Sequence, residues 1–152
     1  MSDRDKPLDT LVDLARDARD QAGRDLAGEQ RTRHQVYQQL ESLRRYRQEY
    51  TEKLNSAMNQ GIDPATLRNY HQFIGSLDDA AVRARQSLDN QDRRVEKARR
   101  QWQQEEQRLS SYDTLIERRE AVRRQDEQRR EQRATDDLVN GRMARQGSPG
   151  EY

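Results

Sequence analysis

The sequence predicts an all-α protein in which two long helices fold back on each other as an antiparallel coiled-coil hairpin, the second helix being the longer. Three observations carry that expectation. Only 30% of the 152 residues are hydrophobic and 38% are charged. Apolar residues recur in steps of three and four along most of the chain, and one interruption rich in turn-forming residues lies near residue 60. Long helices suit this composition because each needs only a narrow apolar seam.

Charge balance and composition argue against several classes of protein. The chain has 29 basic and 28 acidic residues and a net charge of +1, so no global field favours nucleic acid or an anionic membrane. It has no cysteine, which leaves neither a disulfide framework nor a thiolate metal site. Because no long apolar run occurs, we expect neither a signal peptide nor a membrane span, and a cytoplasmic location.

The interruption reads NQGIDPATLRNY, residues 59–70. Gly61 can adopt the left-handed conformation that ends a helix. Asp63 can cap the next helix through its carboxylate, and Pro64 suits a first helical turn. So short a connection forces the two helices to be antiparallel neighbours. The predicted organisation is a flexible N-terminus over 1–7, helix one over 8–60, a turn over 61–64, helix two over 65–140 and a disordered tail over 141–152.

The apolar stripes of the two helices match across this turn. Facing residues have numbers that add to 124, as those of Leu40 and Ala84 do. The other apolar pairs are Ala57 with Leu67, Leu54 with Tyr70, Tyr50 with Ile74, Leu43 with Ala81, Val36 with Leu88, and Ala22 with Trp102. Since the two stripes were defined separately, their match predicts both the fold-back and its register.

Toward the N-terminus the predicted stripe of helix one runs through Leu26, Ala22, Ala18, Ala15, Leu11 and Leu8. Its two successive steps of four, between residues 18 and 26, predict an insertion that locally unwinds the supercoil. The same register places Leu8 opposite Ile116. We therefore expect helix two to overhang from about residue 117, as an arginine-rich helix without a partner.

Heptad positions assign different chemistry to the two edges of the hairpin. One edge near the turn carries Gln39, Tyr46, Phe73 and Ala80, and the other carries Arg44, Thr51, His71, Asp78 and Arg85. The two rings, Tyr46 and Phe73, can fold over the seam and shield it. They can also form a docking patch, since five of the chain's aromatic residues crowd near the turn. The two interpretations are compatible.

Other candidate sites are weaker. His34 and His71 each lack a second His or Cys at ligand spacing, so we expect no metal site and no cofactor. No phosphate-binding loop and no pairing of nucleophile with base occurs, so we do not expect an enzyme. Arginine doublets could bind nucleic acid, but acidic residues interleave with most of them. A nucleic-acid-binding hairpin and a generic self-associating coiled coil remain the alternatives to an adaptor.

Two segments around the turn carry a family resemblance. YRQEYTEKLNSAMNQGI (residues 46–62) and NYHQFIGSLDDA (residues 69–80) closely resemble the flagellar type III export protein FliJ family. The resemblance implies an antiparallel coiled coil and a non-enzymatic stalk, adaptor and general chaperone of the export apparatus. It also implies docking on the cytoplasmic side of the export gate FlhA through Gln39, Leu43, Tyr46, Tyr50, Phe73, Leu77 and Ala80.

The resemblance further implies that the end carrying both termini inserts into the hexameric export ATPase ring. Export chaperones are implied as partners, and nucleic acid is not. The implied location is peripheral, at the flagellar basal body on the inner face of the inner membrane, through protein contacts alone. The residues expected at the ATPase end are Leu8, Leu11, Arg118, Arg119, Arg123 and Arg124.

Overall fold

The fold is two α-helices that pack against each other, as a computed structural model of residues 6–146 shows. Helix α1 spans Lys6–Gln60 and helix α2 spans Pro64–Gln146. No strand occurs in the described part of the chain. The predicted all-α helical hairpin is therefore confirmed.

The turn is built by the three residue types that predicted it. Gly61 has a φ of 84°, in the left-handed region that glycine adopts without a Cβ penalty, and its N–H donates to the carbonyl of Met58 at 3.2 Å. Asp63 precedes α2, and its carboxylate accepts a hydrogen bond from the hydroxyl of Thr66. This hydrogen bond, with backbone N–H donors beside it, lowers the pKa of the Asp63 carboxyl because it favours the charged form.

The helix ends differ from the predicted boundaries. Helix α1 begins at Lys6, and α2 continues through residues 141–146, which the sequence assigned to the tail. No proline interrupts that stretch, and a single interior glycine, Gly141, costs a helix only about 1 kcal/mol relative to alanine. The rest of the predicted flexible N-terminus and disordered tail, residues 1–5 and 147–152, lies outside the described residues.

The chain divides into two compact units, one of which is Arg16–Glu106. Its core lies in the middle of the helix pair, where Leu40 is only 1% exposed and packs with Ala84 and Leu88. Val36, Leu43 and Ala81 pack against that cluster. These contacts agree with the register that the sequence predicts. Further out, the ring atoms Cδ1 and Nε1 of Trp102 lie 3.5 Å from where a Cβ on Gly23 would be, so the largest side chain packs against the smallest residue.

Of the described residues, the second unit comprises 6–15 and 107–146. Its apolar cluster consists of Val12, Ala15 and Leu109, with Tyr112 and Ile116 packed against it. Leu8 is also buried. Only the first residues of α1, up to Ala15, belong to this unit. Every residue of α2 from 117 to 145 is exposed.

The predicted stripe is wrong at the start of α1. Val12 is 4% exposed, whereas Leu11, which the stripe included, is 44% exposed. Arg19 forms an ion pair with Glu106 across the helices, at 3.5 Å between Nε and Oε1. Stepping from Leu8 through Val12 and Ala15 to Arg19 alternates fours and threes. The predicted insertion is therefore unnecessary, because an arginine occupies a seam position that the apolar pattern had assigned to Ala18.

Candidate partner-binding edge

The candidate site lies along one edge of the Arg16–Glu106 unit, near the turn. Helix α1 contributes Tyr46, with 52% of its surface exposed, and α2 contributes Phe73, with 43% exposed. Both residues stand one position outside the seam, where a heptad places side chains that neither face the partner helix squarely nor point away from it. Large aromatic surfaces left exposed in this way are typical of interfaces.

Phe73 is held in place by a second ring. Its centroid lies 4.4 Å from that of Tyr50, with the ring planes tilted by 51°. Lys53 also contacts the Tyr50 ring, with its Nζ 4.9 Å from the ring centroid. Aromatic and cation–π contacts of this kind fix ring orientation and are worth about 0.5–1.5 kcal/mol each. Phe73 thus covers part of the seam and still presents an exposed face.

The seven residues expected at the gate-binding stripe form a graded surface. Leu77 is buried, and Leu43, Tyr50 and Ala80 are half-buried. Gln39, Tyr46 and Phe73 are exposed. The buried members can support the exposed ones, since a rigid apolar base limits the rotamers open to a surface ring. The sequence allows the rings to act as seam cover or as docking patch, and this geometry accommodates both.

The sequence analysis missed Lys53 at this edge. Lys53 lies seven residues after Tyr46 and fourteen after Gln39, so its heptad position could have identified it. It also lines an open groove of about 470 Å³ next to the turn, together with Glu49, Glu52 and Tyr70. The edge therefore combines exposed rings with one nearby cation and two carboxylates.

The opposite edge is closed by charge pairs. Arg47 of α1 pairs with Asp78 of α2, and Arg33 pairs with Asp92 in the same way. Next to the Arg33–Asp92 pair, Gln91 is 6% exposed, and its Nε2 donates to the backbone carbonyl of Glu29 at 2.9 Å and to the Glu29 carboxylate. Charged side chains along that edge are therefore paired across the two helices.

The described residues contain neither a metal-binding cluster nor a membrane-spanning helix. Over residues 6–146, no group of three or more His, Cys, Asp or Glu side chains could hold a metal ion. His34 and His71 are both exposed. No helix in the same range combines the length and apolar character needed to cross a membrane.

The residues expected at the ATPase end differ in exposure. Leu8 is buried in its own unit, whereas Leu11 is exposed. Arg118, Arg119, Arg123 and Arg124 are all exposed, as is every residue from 117 to 145. The sequence analysis missed the exposed apolar residues on this helix, which are Val122, Leu138, Val139 and Met143. The four-residue spacing of Val139 and Met143, on one helix face, was the available signal.

An all-α hairpin with one charge-paired edge and one exposed aromatic edge belongs to the class of helical interaction proteins. Comparisons with known proteins show the family to which the chain belongs. A family model described as "Flagellar FliJ protein" matches residues 4–148. The chain is 36% identical over 132 residues to the "Flagellar FliJ protein" of Escherichia coli strain K12, covering 87% of this chain and 90% of that protein.

The chain is likewise 35% identical over 132 residues to the "Flagellar FliJ protein" of Salmonella typhi, with the same coverage of 87% and 90%. The chain therefore belongs to the flagellar FliJ family, which confirms the resemblance found in the segments around the turn. The names of these relatives describe a flagellar protein and not an enzyme. Family membership supports a role in flagellar export.

Proposed function

We propose that this protein is a non-enzymatic stalk, adaptor and general chaperone of the flagellar type III export apparatus. In this proposal the aromatic edge docks on the export gate FlhA, and the unit containing both chain ends inserts into the export ATPase ring. Export chaperones are further partners. The protein is cytoplasmic and reaches the membrane only through these protein contacts.

The observation that carries the gate proposal is the exposed ring of Phe73, fixed against Tyr50. An exposed ring that is already ordered loses little conformational freedom on binding, so most of its burial can appear as affinity. Residues of this kind dominate interfaces while their neighbours contribute complementarity. The buried Leu77 beneath the edge supports this arrangement.

The ATPase proposal is supported by the exposed helix beyond residue 116. A single helix about 10–12 Å across can enter a pore that would exclude a wider bundle. Its arginines and its exposed Val122, Leu138, Val139 and Met143 supply both polar and apolar contacts. At the start of α1, Leu11 is the leucine available for such contacts, since Leu8 packs within the protein.

Replacing Phe73 by alanine tests the gate contact. We expect Phe73→Ala to weaken binding to the purified cytoplasmic domain of FlhA by about 1–3 kcal/mol, with helicity retained. Titration calorimetry measures the affinity and circular dichroism the helicity. Val82→Ala is the matched control, because Val82 lies on the same helix, is 59% exposed and stands outside this edge. Equal FlhA binding by both variants and the parent would mean that Phe73 only covers the seam and does not contact FlhA.

The ATPase contact needs a separate measurement. We expect the parent chain at saturating concentration to raise ATP hydrolysis and hexamer formation by the cognate export ATPase. A variant with Arg118, Arg119, Arg123 and Arg124 all changed to glutamate should lose this effect and still bind FlhA. An ATPase whose turnover and assembly do not respond to the parent chain argues against ring insertion.

A further inference from the structure

Three ion pairs cross between the helices of the Arg16–Glu106 unit at regular intervals. Arg19 pairs with Glu106, Arg33 with Asp92 and Arg47 with Asp78. On each helix the members are fourteen residues apart, which is two heptads. We refer to these three pairs as the charge ladder.

The positions halfway between these pairs carry different chemistry. On α1 the intermediate heptad positions are Leu26 and Leu40, and Leu54 follows one heptad after Arg47, so arginine and leucine alternate along one line of the seam. On α2 the intermediate positions are Arg85 and Arg99. These two arginines find carboxylates on their own helix, Asp89 at 3.5 Å and Glu96 at 3.6 Å, and so need none from α1.

Several apolar pairs of the seam do not distinguish registers that differ by one heptad. If α2 were displaced by seven residues, Leu54 would face Leu77, Leu43 would face Leu88 and Val36 would face Val95. All of these pairs are apolar, because a heptad displacement maps seam positions onto seam positions. A hairpin could reach such a register by re-forming its turn a few residues along the chain.

The charge ladder does distinguish them. A displacement of seven residues in one direction places Arg47 opposite Arg85 and Arg33 opposite Arg99. In the other direction, Arg33 meets Arg85 and Arg19 meets Arg99. Each displacement therefore exchanges attractive pairs for repulsive ones at two places. Like charges brought together in this way are an effective means of selecting one register of a coiled coil.

We infer that the charge ladder selects the register of the hairpin and thereby positions the aromatic edge. In the observed register Tyr50 meets Phe73, whereas a displacement by one heptad brings Ala80 toward Tyr50 instead. The three ion pairs are then positioning residues for the opposite edge. Only this last consequence rests on the proposed gate contact, since the selection of register holds whatever the edge binds.

The test must remove the constraint that the turn also imposes. We would insert a flexible linker of about ten glycine and serine residues between Ile62 and Asp63 of the full chain. Seven residues of helix correspond to roughly 10 Å, which such a linker spans. With the turn released, the seam and the charge ladder decide the register.

A transposed ladder moves the carboxylates by one heptad without changing composition or net charge. It combines Asp78→Arg, Arg85→Asp, Asp92→Arg and Arg99→Asp. The observed register now places arginine opposite arginine, and the register displaced by seven pairs Arg47 and Arg33 with carboxylates. The variant retains Gly23 and Trp102, so their fit still favours the observed register.

Cysteine crosslinks report the register, because the chain has no cysteine of its own. Val36→Cys with Leu88→Cys crosslinks in the observed register, and Val36→Cys with Val95→Cys crosslinks in the displaced one. With the native ladder we expect the 36–88 crosslink to dominate at least tenfold. With the transposed ladder we expect the 36–88 crosslink to lose its dominance, either to the 36–95 crosslink or, for the opposite displacement, to a crosslink between Val36→Cys and Ala81→Cys. Crosslinking is done at low protein concentration, with only monomeric product counted.

A neutral ladder, Asp78→Asn and Asp92→Asn with Arg85→Gln and Arg99→Gln, is the second variant and should lower the ratio of the 36–88 to the 36–95 crosslink severalfold. The retained Arg19–Glu106 pair and the fit of Trp102 on Gly23 then account for the remaining preference. Molar salt should erode the preference of the native ladder, since screening then acts over about 3 Å. The inference is overturned if the transposed chain still forms only the 36–88 crosslink. If the transposed chain loses its helices, the neutral ladder decides, and undiminished dominance of the 36–88 crosslink there overturns the inference equally.

Discussion

The two edges of the helix pair in the Arg16–Glu106 unit carry different side chains, charge pairs on one and exposed aromatic rings on the other. Along one edge, arginines of α1 meet carboxylates of α2, so these charged side chains are paired within the chain. Along the other edge, Tyr46 and Phe73 keep about half of their surface exposed. A coiled coil of two helices has no interior for large rings. Aromatic residues beside its seam are consequently available to a partner, whereas paired charges are not.

The largest effect should come from the seam beneath both edges. Leu40 is 1% exposed and packs against Ala84 and Leu88, so Leu40→Ala removes apolar contacts and leaves a cavity. We expect it to lower the free energy of unfolding by about 2–5 kcal/mol, measured by urea denaturation. Val82→Ala, on the outer face of α2, should change it by less than about 0.5 kcal/mol. A comparable loss in both variants would mean that the seam does not dominate stability.

Two tyrosines of α1 provide a direct comparison between the edges. Tyr46 and Tyr37 have similar exposures, 52% and 43%, but Tyr37 stands on the charge-paired side. We expect Tyr46→Ala to weaken FlhA binding by about 1–3 kcal/mol and Tyr37→Ala to leave it nearly unchanged. Calorimetric titration gives both values. If Tyr37→Ala proves as damaging as Tyr46→Ala, the distinction between a docking edge and a closed edge fails.

A single ion pair of the closed edge should matter much less. The side chains of Arg47 and Asp78 are 50% and 47% exposed, so solvent screens their attraction. We expect Arg47→Gln to cost about 0.2–1 kcal/mol at low salt and close to nothing at molar salt. A double-mutant cycle with Asp78→Asn isolates the coupling, and Arg83→Gln on the exposed face of α2 is the control. A coupling that persists at high salt would contradict this account.

The smallest expected effect is the pH dependence of stability that Asp63 contributes in the turn between the helices. The hydrogen bond from Thr66 lowers the pKa of Asp63 in the folded chain. A carboxyl of this kind stabilises the fold fully above its unfolded pKa of about 4, and the contribution is lost as pH falls through the lower, folded value. Thermal unfolding between neutral and acidic pH should show a shallower decline in Asp63→Asn than in the parent. Parallel curves would mean that Asp63 does not contribute through its charge.

Much of the architecture follows from the local order of residues. Gly61, Asp63 and Pro64 determine where one helix ends and the next begins, because each favours one backbone conformation or one capping hydrogen bond. The constant sum of facing residue numbers then determines which residues meet, and the packing of Leu40 on Ala84 and Leu88 agrees with it. The aromatic edge could be placed for the same reason, since heptad position depends only on spacing.

The tertiary structure decided what spacing leaves open. Leu11 and Val12 are both apolar and both fit a step of three or four, so only packing against Leu109 and Tyr112 could select Val12. Arg19 occupies a seam position because its long stem can lie along the partner helix while its guanidinium reaches Glu106. A pattern defined by apolar residues alone does not predict a charged residue there. Likewise, the packing of Phe73 on Tyr50 forms only when the two helices meet. The sequence of either helix alone therefore does not predict the tilt between the rings.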